Sequence, residues 1–252
     1  MDTHTEAGRS ESGTPTSDFR LPTSELSWLP FLLQTADALF PTGAYAHSLG
    51  FEESVRLGVV RDEATLRAFL LDQLVPALRE HELPYLRFAC HAAHDGHLAE
   101  LRRIDGEISA WKLAPETREA SAQIGTRRLK ALRTISDAPL LAAFETLIAS
   151  GACRGHHLSV CGLQAAVEGV PLEAALATYF YQSLAATAAA SLKLIRIGQD
   201  GVQRALRAVC LEAGPTVRAS LAIPRAEAGW FNPMLEIASL RHARAEERLF
   251  IS

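Results

Sequence analysis

The stretch that decides the fold runs from Leu172 to Ile197 and reads LEAALATYFYQSLAATAAASLKLIRI. Ala and Leu dominate it and neither Gly nor Pro interrupts it, which is the composition of a long helix. Ala185, Ala186, Ala188, Ala189, Ala190 and Ser191 leave little side-chain bulk on any face, and small residues let helix axes approach closely. Upstream, Tyr179, Phe180 and Tyr181 supply an aromatic collar. A helix that is apolar all round is buried all round. This one is therefore expected either as the central core helix of a bundle or as a helix at a subunit contact. Glu173, Gln182, Lys193 and Arg196, together with the Ala content, make it too weakly hydrophobic for a membrane span.

Outward from that segment the pattern stays helical. Trp28, Leu29, Leu32, Leu33 and Ala36 recur at three- and four-residue spacing, and Phe40-Pro41-Thr42-Gly43 then breaks the run. A second helix is predicted from Ala46 to Leu57. Asp62 reads as an N-cap ahead of an apolar stripe at Leu66, Phe69, Leu70, Leu74 and Leu78. Further helices are predicted over 97–112, 115–135, 138–149, 156–168, 171–197, 200–213 and 234–247, with Pro115 and Pro171 where a helix start tolerates proline. Alternating Val/Ile/Thr runs are nearly absent. The expected fold is all-α, a single-domain bundle of about ten helices around the buried Ala-rich one. Residues 1–25 carry a local charge of −3 amid Ser, Thr, Gly and Pro, and read as a flexible acidic leader. The expected division is this leader, a helical domain over 26–233, and a C-terminal helix with a docking tail over 234–252.

The 252 residues carry a net charge of −4 and are 48% hydrophobic, ordinary for a globular chain and without the basic excess of a nucleic-acid binder. Cys90, Cys153, Cys161 and Cys210 lie far apart with no C-x-x-C pair, as expected for reduced apolar side chains in a cytosol. With no apolar stretch at the N-terminus, a cytoplasmic location is expected.

The catalytic motifs that would direct a reading are missing. No G-x-x-x-x-G-K-[ST], G-x-G-x-x-G after a strand, H-E-x-x-H or G-x-S-x-G occurs. Four features remain. His91, His94 and His97 recur at threes beside Cys90, with His81 upstream; an i, i+3 imidazole pair shares a helix face and can hold a borderline metal, or these are solvated and capping groups. His156-His157 follows Gly155 and reads as a helix-end pair rather than co-ligands. Residues 102–133 carry eight basic side chains against four acids, and Arg127-Arg128-x-Lys130 within them either touches an acidic or phosphate group or faces water. The loop PTGAYAHSLG, residues 41–50, and the tail ending Arg248-Leu249-Phe250-Ile251 place polar and apolar groups where a turn and a fraying terminus would not need them. An aromatic beside Arg241, Arg244 and Arg248 is anchor chemistry, unless the tail folds onto its own bundle.

Three segments in order, LLQTADALFPTGAYAHSLGFEESVRLGVV (32–60), HHLSVCGLQAAVEGVPLEAALATYFYQSLAATAAASLKLIRIGQ (156–199) and LEIASLRHARAEERLF (235–250), resemble the urease accessory protein F family. The resemblance implies an all-α homodimer with no cofactor and no catalysis of its own. It implies a complex with the urease D/H accessory protein and the nickel-carrying G-type GTPase, gating GTP-dependent nickel delivery to apo-urease, with neither nucleic acid nor membrane as partner. Carried over by position, Arg241, His242, Arg248, Leu249 and Phe250 would face the D/H protein. Pro41, Thr42, Gly43, Tyr45, His47, Ser48 and Glu52, with Lys193 and Gln199, would form the GTPase-facing or functional surface. Ala44 and Arg196 depart from the family pattern, which commonly has glycine and proline there. The competing reading is a direct nickel carrier using His81, His91, His94 and His97.

Overall fold

The computed structural model describes residues 26–44, 50–242, 244–245 and 248–251. The leader, Tyr45, His47 and Ser48 lie outside the described residues, as does the first part of the helix predicted from Ala46. Among the described residues the chain is helical with no strand.

Helix α1 (Trp28–Ala36) leads through the Pro41 turn to α2 (Phe51–Arg56) and α3 (Glu63–Phe69). Asp62 caps α3 as its position predicts. Its carboxylate accepts from the Thr65 N–H at 2.8 Å while the Thr65 hydroxyl accepts from the Asp62 N–H at 3.0 Å.

Beyond α3 the helix does not stay regular. Two π-helical turns, Leu70–Leu74 and Leu78–Glu82, bracket the short α4 (Val75–Ala77) and lead into α5 (Leu83–His94). The cause is local: Pro76 and Pro84 lack an N–H and would press their rings on the carbonyl four residues back. A widened turn relieves that contact. The Glu80 carbonyl, left without its helical donor, accepts from the Gly229 N–H at 2.8 Å.

Next come α6 (Leu98–Trp111), α7 (Pro115–Leu132), α8 (Pro139–Ala149), α9 (His157–Val167), α10 (Leu172–Leu194), α11 (Gln199–Cys210), α12 (Ala213–Ala222) and α13 (Pro233–His242). The tightest pairing is α5 with α9. Gly162 makes it possible: a Cβ there would sit 2.6 Å from the Ala89 Cβ and 2.7 Å from the Cys90 backbone N. Leu83, Leu86, Leu158, Leu163 and Phe180 fill the core around this crossing. At the start of α9, the buried Asp105 of α6 accepts from the backbone N–H groups of Arg154, Gly155 and His156 and from the Ser159 hydroxyl. One side chain thus ties the loop that leads into α9, through its N-cap, to the hydroxyl of its first turn.

The Ala-rich segment forms α10 and packs on α1, α2, α5, α9, α11 and α12. It ends at Leu194 because Ile195 is extended. Burial on every side does not hold for it, since Tyr181, Ala186, Ala189 and Lys193 are exposed. Small apolar side chains fit a close helix contact and an open face equally well, so their presence alone does not fix burial. No helix among the described residues is long and apolar enough to cross a membrane.

Candidate interaction site

The C-terminal end of the chain is drawn back onto α2 and α7. Helix α13 crosses the start of α2 at Gly50, whose φ of +87° and missing Cβ let the Ser239 hydroxyl and the Leu235 carbonyl come close. This brings His242, 1% exposed, to a point between two carboxylates. Its Nε2 lies 2.9 Å from Glu52 and its Nδ1 lies 3.2 Å from Glu116. Glu52 also accepts from the backbone N–H of Leu249 at 2.9 Å and of Phe250 at 3.1 Å. Burial pushes the Glu52 carboxyl up, but the hydrogen bonds from Leu249, His242 and Phe250 outweigh it and hold the group below its ordinary value. Arg248 reaches Glu116 at 3.1 Å. Beside it the buried Glu53, held low chiefly by its bond from Arg56, also pairs with Arg241 at 3.0 Å.

Seven of the fourteen residues expected at the two partner surfaces therefore meet in one place. Arg241, His242, Arg248, Leu249 and Phe250 are joined there by Glu52, and Lys193 lies 5.4 Å from the centre of the Phe250 ring. The Phe250 ring is buried against its own chain, whereas Leu249 and Ile251 are 69% and 60% exposed. Pro41, Thr42 and Gly43 form the turn after α1, with Thr42 buried and Pro41 exposed. Gln199 is exposed at the first position of α11, away from the tail cluster in sequence and without a place in it. Glu53 and Glu116 escaped the sequence reading; a lone acid in a first helical turn carries no mark of a partner over a hundred residues away.

A second feature is a cavity of about 270 Å³ between the π-helical turns, α10 and α13, with His81, Glu82, Lys112, His157 and Tyr179 among its walls. The Nε2 atoms of His81 and His157 are shut away from solvent without a partner. Burial holds both imidazoles down to about 3, so they are neutral. Tyr179 donates to Glu82 at 3.2 Å.

The four histidines of the nickel-carrier reading are not brought together. His91 and His94 are exposed near the end of α5, His97 is exposed beyond Gly96, and His81 is buried in the cavity wall. Among the described residues, no three His, Cys, Asp or Glu side chains are grouped to hold a metal ion. His156 and His157 do stand at a helix start, as the N-cap and first residue of α9. The basic run divides: Arg127 and Lys130 face outward, while Arg128 is buried and bonded to Gln164 at 2.7 Å and the Thr35 carbonyl at 3.1 Å.

The profile of the UreF family matches residues 60–210. The chain belongs to the UreF family. It is 34% identical over 221 residues to the urease accessory protein UreF of Paenarthrobacter aurescens strain TC1, which covers 88% of this chain and 96% of that one. It is 31% identical to the UreF of Arthrobacter sp. strain FB24, with the same coverage, and 30% identical to that of Azoarcus sp. strain BH72, covering 88% and 94%. A UreF-family chain is an accessory protein of urease, and its role lies in urease maturation.

Proposed function

We propose that this chain is a non-catalytic scaffold and regulator of the nickel-insertion complex. It bridges the urease D/H accessory protein and the nickel-carrying G-type GTPase as a homodimer, and gates GTP-dependent delivery of nickel to apo-urease. The observation that carries the reading is the apolar strip at the C-terminal end. Met234, Ile237 and Leu240 share one exposed face of α13, and Leu249 and Ile251 are exposed in the tail that follows, more apolar surface than a water-facing helix and tail need. The strip is held in a fixed position by Glu52 and Glu116, which lowers the ordering cost of docking. The D/H protein is the occupant proposed for residues 234–252. The GTPase, or a functional surface, is proposed for Pro41, Thr42, Gly43, Tyr45, His47, Ser48, Glu52, Lys193 and Gln199. The open strip of α10 at Tyr181, Ala186 and Ala189 supports a contact with a second copy.

Size-exclusion chromatography of the full chain mixed with the D/H protein and the GTPase tests this. A joint peak is expected, and deletion of residues 241–252 abolishes it. Separate elution of the intact proteins refutes the bridging role, and a joint peak that survives the deletion refutes the tail as the docking element.

A further inference from the structure

A groove of about 1020 Å³ lies between α1, the turn that follows it and α7, on a side of the molecule formed by neither α13 nor the tail. Leu33, Leu39 and Ile135 are exposed within it, and Leu39, at 90%, is the most exposed large apolar side chain among the described residues. Its backbone is tied down on both sides. The Leu39 N–H donates to the Asp37 carboxylate at 2.8 Å, the Phe40 N–H to the Asp37 carbonyl at 3.1 Å, and the Thr42 N–H to the Phe40 carbonyl at 2.7 Å. The Phe40 ring lies 5.4 Å from the buried Arg128 guanidinium. A braced turn that presents an apolar side chain to water is a preorganised knob.

The charge beside it is positive on balance, two cations against one carboxylate. Arg127 and Lys130, three apart on α7, line the groove, and neither forms an ion pair among the described residues. Arg127 is laid over Gly43, where φ is +72° and any Cβ would collide with its guanidinium. Asp37 is the single carboxylate in the lining, and it is occupied by the Leu39 N–H.

We propose that this groove docks an acidic amphipathic segment of a partner protein. Its apolar face covers Leu33, Leu39 and Ile135, and its carboxylates meet Arg127 and Lys130. The proposal deepens the reading that this chain works by docking, and adds a surface separate from the tail.

Fluorescence anisotropy of the full chain with a labelled helical peptide tests it. One peptide carries a leucine face and a glutamate face; its counterpart has lysine in place of glutamate. The glutamate peptide is expected to bind and the lysine peptide not, with binding weakened by salt. Leu39→Ser and Lys130→Glu are each expected to weaken it about tenfold or more while the thermal melt stays wild-type, because both side chains stand outside the core. Equal binding of the two peptides, binding of neither, or indifference to both substitutions overturns the proposal. So does a dimer that Leu39→Ser converts to monomer, which assigns the groove to a second copy. Peptide binding together with failure of the three-protein joint peak refutes the bridging role and leaves the groove standing. The reverse pattern refutes the groove alone.

Discussion

Glu52 and His242 meet at 2.9 Å although 190 positions separate them, and this contact fixes the C-terminal end of the chain on the bundle. Each ring nitrogen of His242 faces a carboxylate. Glu52 spends its remaining capacity on the Leu249 and Phe250 N–H groups, so a single side chain links α2, α13 and the tail. Replacing His242 by Ala leaves Glu52 and Glu116 facing each other across a buried gap. The expected cost is about 1–3 kcal/mol, the range for leaving a buried hydrogen-bonding group without its partner. Urea unfolding of His242→Ala against the native chain measures it; a loss under about 1 kcal/mol would place the ring in solvent.

The tail divides into an inward and an outward set. The aromatic anchor expected at Phe250 is buried at 6% exposure, so its ring is not offered to a partner in this state. Leu249 and Ile251 are. Leu249→Ala and Ile251→Ala are therefore expected to weaken binding of the D/H protein by up to about 2 kcal/mol each. Their effect on the stability of the free chain is expected to stay within about 0.5 kcal/mol, as for ordinary surface positions. Phe250→Ala does the opposite in the free chain: it loosens the tail, read as faster proteolysis at Arg248. Isothermal titration and timed proteolysis separate the two effects. Equal affinity of the Leu249 and Ile251 variants removes both from the docking surface.

Asp105 holds the start of α9 from a neighbouring helix. Its carboxylate, 1% exposed, accepts four hydrogen bonds, at 2.7 Å from Arg154, His156 and Ser159 and at 3.1 Å from Gly155. Asp105→Ala strands those donors in the interior. Since each buried unsatisfied group costs about 1–3 kcal/mol and relaxation recovers part of the sum, the expected loss is about 3–5 kcal/mol. Asp105→Asn keeps the shape and an acceptor oxygen and is expected to lose less. Thermal unfolding of the pair orders them, and equal melting temperatures would mean the charge and its geometry are immaterial.

Acid sensitivity follows from three histidines, His81 and His156 buried and His157 half-buried with its Nε2 shut away from solvent. Burial holds His81 and His157 at about 3, and His156 at about 4 against an opposing pull from Asp105. Their ordinary value is about 6.5. Because the folded value is depressed, the unfolded chain takes up protons that the folded chain refuses, so stability is full above pH 6.5 and falls as the pH drops below it. At pH 5 each ring is expected to remove roughly 2 kcal/mol relative to pH 8. Glu100 acts in a separate window: Arg103 first, then Arg225, hold it at about 2, so its contribution fades only below about pH 4.5. Urea midpoints at pH 8, 6 and 5 are expected to fall steadily. His81→Gln is expected to flatten the slope by one proton, and an unchanged slope would show that the ring titrates freely in the folded chain.

What the sequence exposes and hides divides along chain separation. The Asp62–Thr65 cap, the proline-headed start of α7 and the stripe through α3 are local, and each is readable within a few residues. The π-helical turns had a visible cause in Pro76 and Pro84, yet the apolar spacing of Leu70, Leu74 and Leu78 is the same for a regular helix, so period alone missed them. Arg128 sits in a basic run beside Arg127 and Lys130, and only the tertiary fold turns it inward to Gln164. The resemblance pointed to Arg241, His242, Arg248, Leu249 and Phe250 as partner-facing and to Glu52 and Lys193 on another surface, not to their meeting one another; Glu116 and Asp105 it did not mark, and their partners lie 126 and about 50 positions away. Such pairings leave no periodic trace.

Helix α10 tests how far composition can be trusted. Ala188 and Ala189 are neighbours with the same side chain, but Ala188 is 1% exposed and Ala189 faces outward. Ala188→Leu adds three carbon atoms inside a packed contact and is expected to cost about 1–3 kcal/mol through overpacking. Ala189→Leu adds the same atoms to an open face and is expected to leave the monomer within about 0.5 kcal/mol of the native chain. If the open strip receives a second copy, the Ala189 variant changes the concentration dependence of the melting temperature instead, since association contributes to stability by mass action. Melting curves at two protein concentrations, with sedimentation velocity on the same samples, read all three outcomes. Equal destabilisation of the two variants in the monomer would mean that both faces of α10 are enclosed.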